Sequence, residues 1–362
     1  MVSIFSSLKN SWLFFFLFSL FFFKIFFYIL VNLNFLPISL GGADANYYHA
    51  FVLYSNDLDR AVNIWPVLLK YLHGWGFYSR EIISYCLLLL NLTFIPIIAT
   101  KLSGLKFSVN QKYYLFMFLL CVFYPSLYSF TFDIFRDVFM VFTFLFGCFV
   151  VKKSLNNNNN NNFLFFIFYA LAILIGFFLL ALRPYLGYAF LLSLFLWKIK
   201  FTKRRIVIFS FLYLISLFIA NYIGLLDSLT EYRSGFEEGT GSTLGLNFSN
   251  PLMFVPNFIL SILGQLFGLY FTNLISIVLF FVETVPFIYM LIYVFKNIRF
   301  ADDFLRFLMI FFILYLSVWV IGNDNLGTAV RLRIYNYFII YICFFYILKL
   351  KDKIEYHQVI NK

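Results

Sequence analysis

SWLFFFLFSLFFFKIFFYILV, residues 11–31, holds a single charge, Lys24, in its whole length. About 20 mostly apolar residues cross the hydrocarbon core of a bilayer as a helix, and a helix satisfies its own backbone polar groups where there is no water. The stretch therefore predicts a transmembrane helix. Its apolar run is too long for a secretory leader and no small-residue cleavage site follows, so we read it as retained. The same pattern recurs at 82–99, 113–130, 134–151, 163–182, 184–197, 206–225, 273–295, 305–321 and 334–350, giving ten spans.

Composition agrees with that reading over the whole 362 residues. Hydrophobic residues make up 63% and charged residues 12%, against roughly 25% charged in soluble chains. A soluble enzyme, a disordered chain and a fibrous protein are all excluded. The fold class is all-α, a polytopic integral membrane protein forming one membrane domain over 1–362. Cys86, Cys121, Cys148 and Cys343 lie in apolar runs without a CxxC pair, so they read as small buried hydrophobes.

The segment 253–270 is apolar but interrupted by Pro256, Gly264 and Gly268. Were it to cross, Lys296, Arg299 and the Lys-rich tail would all move outside. The excess of Lys and Arg on cytoplasmic loops favours a re-entrant or interfacial helix on the outer side. Both termini are then cytoplasmic. Eighteen of the 27 basic residues lie inside and eight outside, with Lys24 in the first span. The net charge of +11 thus reports topology, and no nucleic-acid partner is expected. The inner set is dominated by Lys, whereas the outer set is Arg60, Arg80, Arg136, Arg183, Arg233, Arg331 and Arg333 with Lys70. Arg offers a planar fork that grips phosphate or carboxylate with two hydrogen bonds. Such a face suits either an anionic ligand or pairing with the outer acids and lipid headgroups.

The longest outer segment is 32–80. Gly41-Gly42-Ala43-Asp44 predicts a turn with Asp44 as helix cap, followed by a short helix bearing Asn46, Tyr47, Tyr48 and His49. Val62, Trp65, Leu68, Leu69 and Leu72 then recur at helical spacing, an amphipathic helix in the headgroup layer that stops at Gly74. The outer segment 226–251 reads as a flexible lid. Residues 152–162 form a cytoplasmic linker with seven consecutive Asn, 156–162.

Charges at the edge of a span are costly and mark function. Asp133, Arg136 and Asp137 are spaced to share one helix face, as an internal clamp or as a ligand-facing Arg136 held by two carboxylates. Arg183 precedes Pro184 at a helix start, where the dipole favours anions, and has no partner nearby in sequence. Glu283 lies inside a span, where a carboxylate is protonated, paired with Arg or facing a polar cavity. The run 322–333, Gly-Asn-Asp-Asn-Leu-Gly-Thr-Ala-Val-Arg-Leu-Arg, is expected to join the last two spans outside. Arg331 and Arg333 in it point the same way if extended and apart if helical. His49, His73 and His357 show no metal-ligand spacing, although His49 could serve as a base. No metal or cofactor is expected.

Five stretches, 41–49, 124–137, 182–187, the Glu283 span and 322–333, together resemble the Wzy-type polymerases of O-antigen and capsule repeat units, with the EpsG-like branch most similar. The resemblance covers most of the chain by topology and only short patches by residue. It departs from the many relatives with one large outer loop in the C-terminal half. What it implies is a metal-independent glycosyltransferase in the bacterial inner membrane. The substrates would be undecaprenyl-pyrophosphate oligosaccharides, with membrane lipid and a chain-length regulator protein as partners. Arg183, Arg331, Arg333 and Arg136 would bind the departing pyrophosphate. Asp44, His49 and Glu283 are the candidate catalytic groups, and Asp133, Asp137 and Asp324 would support them. The competing readings are a flippase for the same lipid-linked sugar and an O-antigen ligase.

Overall fold

A computed structural model describes residues 2–36, 41–55, 57–157, 162–200, 202–236 and 242–360. Among the described residues the elements are helices and turns, with no named β-strand. Eight helices among the described residues are long and apolar enough to cross a membrane: Ser11–Asn32, Arg80–Leu102, Arg136–Asn156, Asn162–Leu182, Arg204–Tyr222, Leu274–Lys296, Asp303–Gly322 and Leu326–Lys351. The protein is an all-α, membrane-embedded, polytopic chain.

Three shorter apolar helices accompany them, Gln111–Phe123, Pro184–Leu196 and Pro251–Leu266. The first two take the place of the spans expected at 113–130 and 184–197. Each has 13 residues, which is about 20 Å of helix and short of a bilayer core of about 30 Å. The cause of the first shortening is Tyr124-Pro125. Proline has no N–H to donate and disfavours a helical residue before it, and Tyr124 leaves the helix at ψ 104°. The chain resumes as the short helix Pro125–Ser129. Lys24 donates to the carbonyl of Val122, at 2.6 Å, and thereby caps the negative end of the broken helix. The Tyr128 hydroxyl donates to the Lys24 carbonyl at 2.6 Å. A mid-span lysine thus compensates for a proline break a hundred residues away.

The chain divides into two compact units, residues 1–187 with 348–362, and residues 188–347. In the first, Arg136–Asn157 and Asn162–Leu182 pack as an antiparallel pair. Of the polar linker between them, residues 158–161 lie outside the described residues. Tyr28, Leu88, Leu92, Val122 and Phe132 form a core beside them. The segment expected as an amphipathic surface helix is Ile64–Gly74, capped by Asn63. It is docked onto protein: Trp65 is buried and its indole N–H donates to the carbonyl of Ile134 at 2.9 Å.

In the second unit the core is Asp303–Gly322 against the first part of the last helix. The buried amide of Asn336 donates to the Phe312 carbonyl at 3.0 Å and accepts from the Trp319 indole at 3.0 Å, so both sides of one amide tie these two helices. Among the described residues three helices widen into a π-turn, at Leu90–Phe94, Ile262–Leu266 and Phe280–Thr284. Each π-turn buries a polar side chain, Asn91, Gln265 and Glu283 respectively. Such widened turns recur at functional sites.

Candidate functional site

The charged residues singled out in the sequence separate into two groups, one in each unit. In the first unit, helix Ala43–Tyr54 is capped by the backbone at Gly42, with no side-chain cap. Asp44 is therefore not the cap that was expected; it sits within the first turn, half-buried. One turn on, Tyr48 is buried. Burial pushes its phenol up, Arg136 opposes that shift, and Asp44 and Asp137 reinforce it. These four side chains thus share one electrostatic environment.

Asp133 departs from expectation. The helix begins only at Arg136, so Asp133 lies in the preceding turn and does not share a helix face with Arg136 and Asp137. It accepts from Arg80 instead, with Nε at 2.7 Å and Nη2 at 2.5 Å. The same guanidinium reaches the Asn46 side chain at 2.8 Å, locking the short helix to the start of Arg80–Leu102. Arg136 donates to the carbonyl of Leu182 at 2.8 Å, a helix-end carbonyl that suits a cation. Arg183 has a partner that sequence proximity could not supply, the buried carboxylate of Asp137 at 3.8 Å. His49 exchanges a hydrogen bond of 2.8 Å with the Tyr78 hydroxyl, which engages its ring on another aromatic residue.

In the second unit the run 322–333 does join the last two long helices, but by a shorter connection than expected. Only Asn323–Asn325 separate two helices, and the last helix already starts at Leu326. Arg331 and Arg333 are consequently about 200° apart around its axis. Arg331 is half-buried, while Arg333 is buried and faces Glu283 at 3.0 Å. The carboxylate inside the span is thus the Arg-paired case among those expected.

Arg333 forms part of the lining of a hollow of about 300 Å³ of mixed character, with Ser242, Gln265 and Asn273 beside Ile275, Leu279 and Val330. Glu283 is not among the lining residues; it holds the guanidinium from behind. Gly268, at φ +59°, lets the backbone turn beside Arg333, and a Cβ there would meet Arg333 Nη1 at 2.8 Å. Gln265 fixes the other wall. Its Nε2 donates to the Asn323 carbonyl at 2.8 Å and its Oε1 accepts from Asn323 Nδ2 at 2.6 Å. Tyr337 ties the two π-turns together, donating to the Leu266 carbonyl at 2.7 Å and pairing with the Thr284 hydroxyl at 2.9 Å.

The segment expected as a flexible lid is instead anchored, in its described part, by Arg233. Its guanidinium is buried, donates to the carbonyls of Val320 and Asn323 at 2.9 and 2.6 Å, and pairs with Asp324. It closes the C-terminal end of Asp303–Gly322, where orphan carbonyls and the dipole both favour a cation. Asp324 also accepts from the Gly245 N–H at 3.0 Å. Glu237 and Glu238 lie outside the described residues.

Sequence reasoning did not single out Gln265 or Tyr337, and it named Arg80 only within the outer arginine set and Gly268 only as an interruption of an apolar run. A lone amide such as Gln265 within an apolar stretch was the one available signal. The other three depend on partners distant in sequence.

Fold and site together define a polytopic, all-helical membrane protein in which a buried, carboxylate-held guanidinium forms part of the wall of a hollow. No protein-family model, no curated protein and no solved structure matches the chain.

Proposed function

We propose that the chain polymerises oligosaccharide repeat units carried on undecaprenyl pyrophosphate, at the outer face of the bacterial inner membrane. One observation carries the reading: in a membrane-embedded chain, Arg333 meets a hollow whose other lining residues include hydroxyls and amides. Hydroxyl and amide groups suit sugars, and a guanidinium suits an oxyanion. An oxyanion entering the hollow would share Arg333 with Glu283.

In the proposed reaction a hydroxyl of the acceptor unit attacks the anomeric carbon of the donor chain. The new glycosidic C–O bond forms as the bond to the pyrophosphate oxygen breaks. The acceptor proton passes to a base, and lipid pyrophosphate departs with the bonding electrons. Its developing charge is stabilised by a prepositioned cation. Arg333 is the proposed cation, and Glu283 keeps it positioned.

The test is made in a host strain lacking this gene. Loss of a polymerase leaves a single capped repeat unit, loss of a flippase leaves none, and loss of a ligase leaves polymer on the carrier lipid. Complementation with Arg333→Ala and Arg183→Ala is expected to restore membrane insertion without long polymer. Wild-type ladders from both variants would overturn the reading.

A further inference from the structure

The second unit also carries an apolar groove of about 430 Å³ that shares no lining residue with the hollow at Arg333. Its lining includes Ile206 and Tyr213 from one helix, Ile313 and Ser317 from a second, and Phe258 and Ile262 from a third. The first of these helices, Lys203–Tyr222, packs loosely: among its described residues none is fully buried. A gap between two membrane helices forfeits dispersion contacts unless something apolar fills it.

One end of the groove is marked by charge. Its lining there includes Ile199, Ile206, Phe295 and Ile298. Each is flanked in sequence by an exposed basic residue: Lys198 and Lys200, Arg205, Lys296, and Arg299. Arg204 adds a further exposed cation. The acids at this end are already engaged. Asp303 pairs with Arg306, and Asp302 caps its helix through the Leu305 N–H at 2.8 Å and accepts from the Tyr346 hydroxyl at 2.6 Å. The basic excess therefore has a call on an outside anion. The Lys and Arg asymmetry of the chain puts this end on the cytosolic side, where anionic lipids attract basic clusters.

We propose that this groove binds one anionic phospholipid, with an acyl chain between helices Lys203–Tyr222 and Asp303–Gly322 and its phosphate among Lys198, Arg204, Arg205 and Arg299. The lipid completes the packing of the loosely held helix. The site is separate from the glycosyl chemistry proposed above and does not depend on it.

The experiment is native mass spectrometry of the purified full chain, offered phosphatidylglycerol and phosphatidylcholine of the same acyl chains. Wild type is expected to retain phosphatidylglycerol preferentially. Arg204→Gln with Arg205→Gln is expected to lower that retention roughly thirtyfold, from about 1 kcal/mol of surface attraction for each of the two cations. Ser317→Phe, which fills the groove and keeps every charge, is expected to lose both lipids, with helix content by circular dichroism unchanged. Equal retention of the two lipids by wild type, or wild-type retention by both variants, overturns the proposal. Selective displacement of phosphatidylglycerol by a polyprenyl phosphate would overturn its assignment to a phospholipid.

Discussion

Glu283 and Arg333 meet at 3.0 Å across fifty residues of sequence, both buried. One comes from a π-turn, the other from the second turn of the last helix. Removing one partner of a buried pair strands a charge and costs about 3–5 kcal/mol, whereas replacing both with apolar residues is far milder. Thermal unfolding in detergent should therefore show a large drop for Glu283→Ala. Glu283→Leu combined with Arg333→Met should recover most of it. Under the proposed function the double variant still makes no long polymer, so recovered stability with recovered ladders would refute a chemical role for Arg333.

Gly268→Ala probes the same guanidinium from the backbone side. Its φ of +59° disfavours a Cβ, and that Cβ would press on Arg333 Nη1. The left-handed conformation alone costs about 1–2 kcal/mol. We expect a correspondingly small loss of stability with a much larger loss of polymer length. Equal losses in both would assign Gly268 to folding alone.

Arg233 and Arg60 form a contrast within the expected outer arginines. Arg233 closes a helix end and is buried with Asp324, while Arg60 pairs with Asp57 on an exposed surface. Arg233→Ala should lower the unfolding temperature sharply and expose the segment around residue 245 to protease. Arg60→Ala should leave both unchanged, since exposed ion pairs contribute about 0–1 kcal/mol. Similar protease patterns for the two would contradict the anchoring role.

Tyr78 gives a pH signature. Burial pushes its phenol from 10.0 up to about 12, with Asp133 and Glu81 adding and Arg80 opposing. The folded chain holds this proton more tightly than the unfolded chain, so the contribution is fully present below pH 10 and falls away as pH rises towards 12. The phenolate absorbance difference between wild type and Tyr78→Phe should therefore appear near pH 12. Its appearance near pH 10 would mean that Tyr78 is not enclosed beside His49.

Much of the helical framework was legible because apolar runs of bilayer length have one stable form in lipid. Interruptions inside those runs were less so. Tyr124-Pro125 ends a helix that hydropathy alone continued, and Lys24, counted as a lone mid-span charge, turned out to be the cap of that broken end. The candidate site was half legible. Arg183, Asp137, Glu283 and Arg333 were singled out as charges near or within the membrane, yet their partners were not. Asp133 was assigned to Arg136 by helical spacing, but the helix starts after it and Arg80 takes the carboxylate. Arg331 and Arg333 were left open between two conformations, and the early start of the last helix decided that they diverge.

By itself the sequence determined that this chain lives in a membrane as a set of helices, because backbone groups in hydrocarbon must bond within their own segment and the apolar runs have the length to do so. Only the tertiary structure decided which carboxylate each arginine meets and which guanidinium meets a hollow. Those choices depend on where helices begin, widen and end, and on side chains brought together from far apart in the chain.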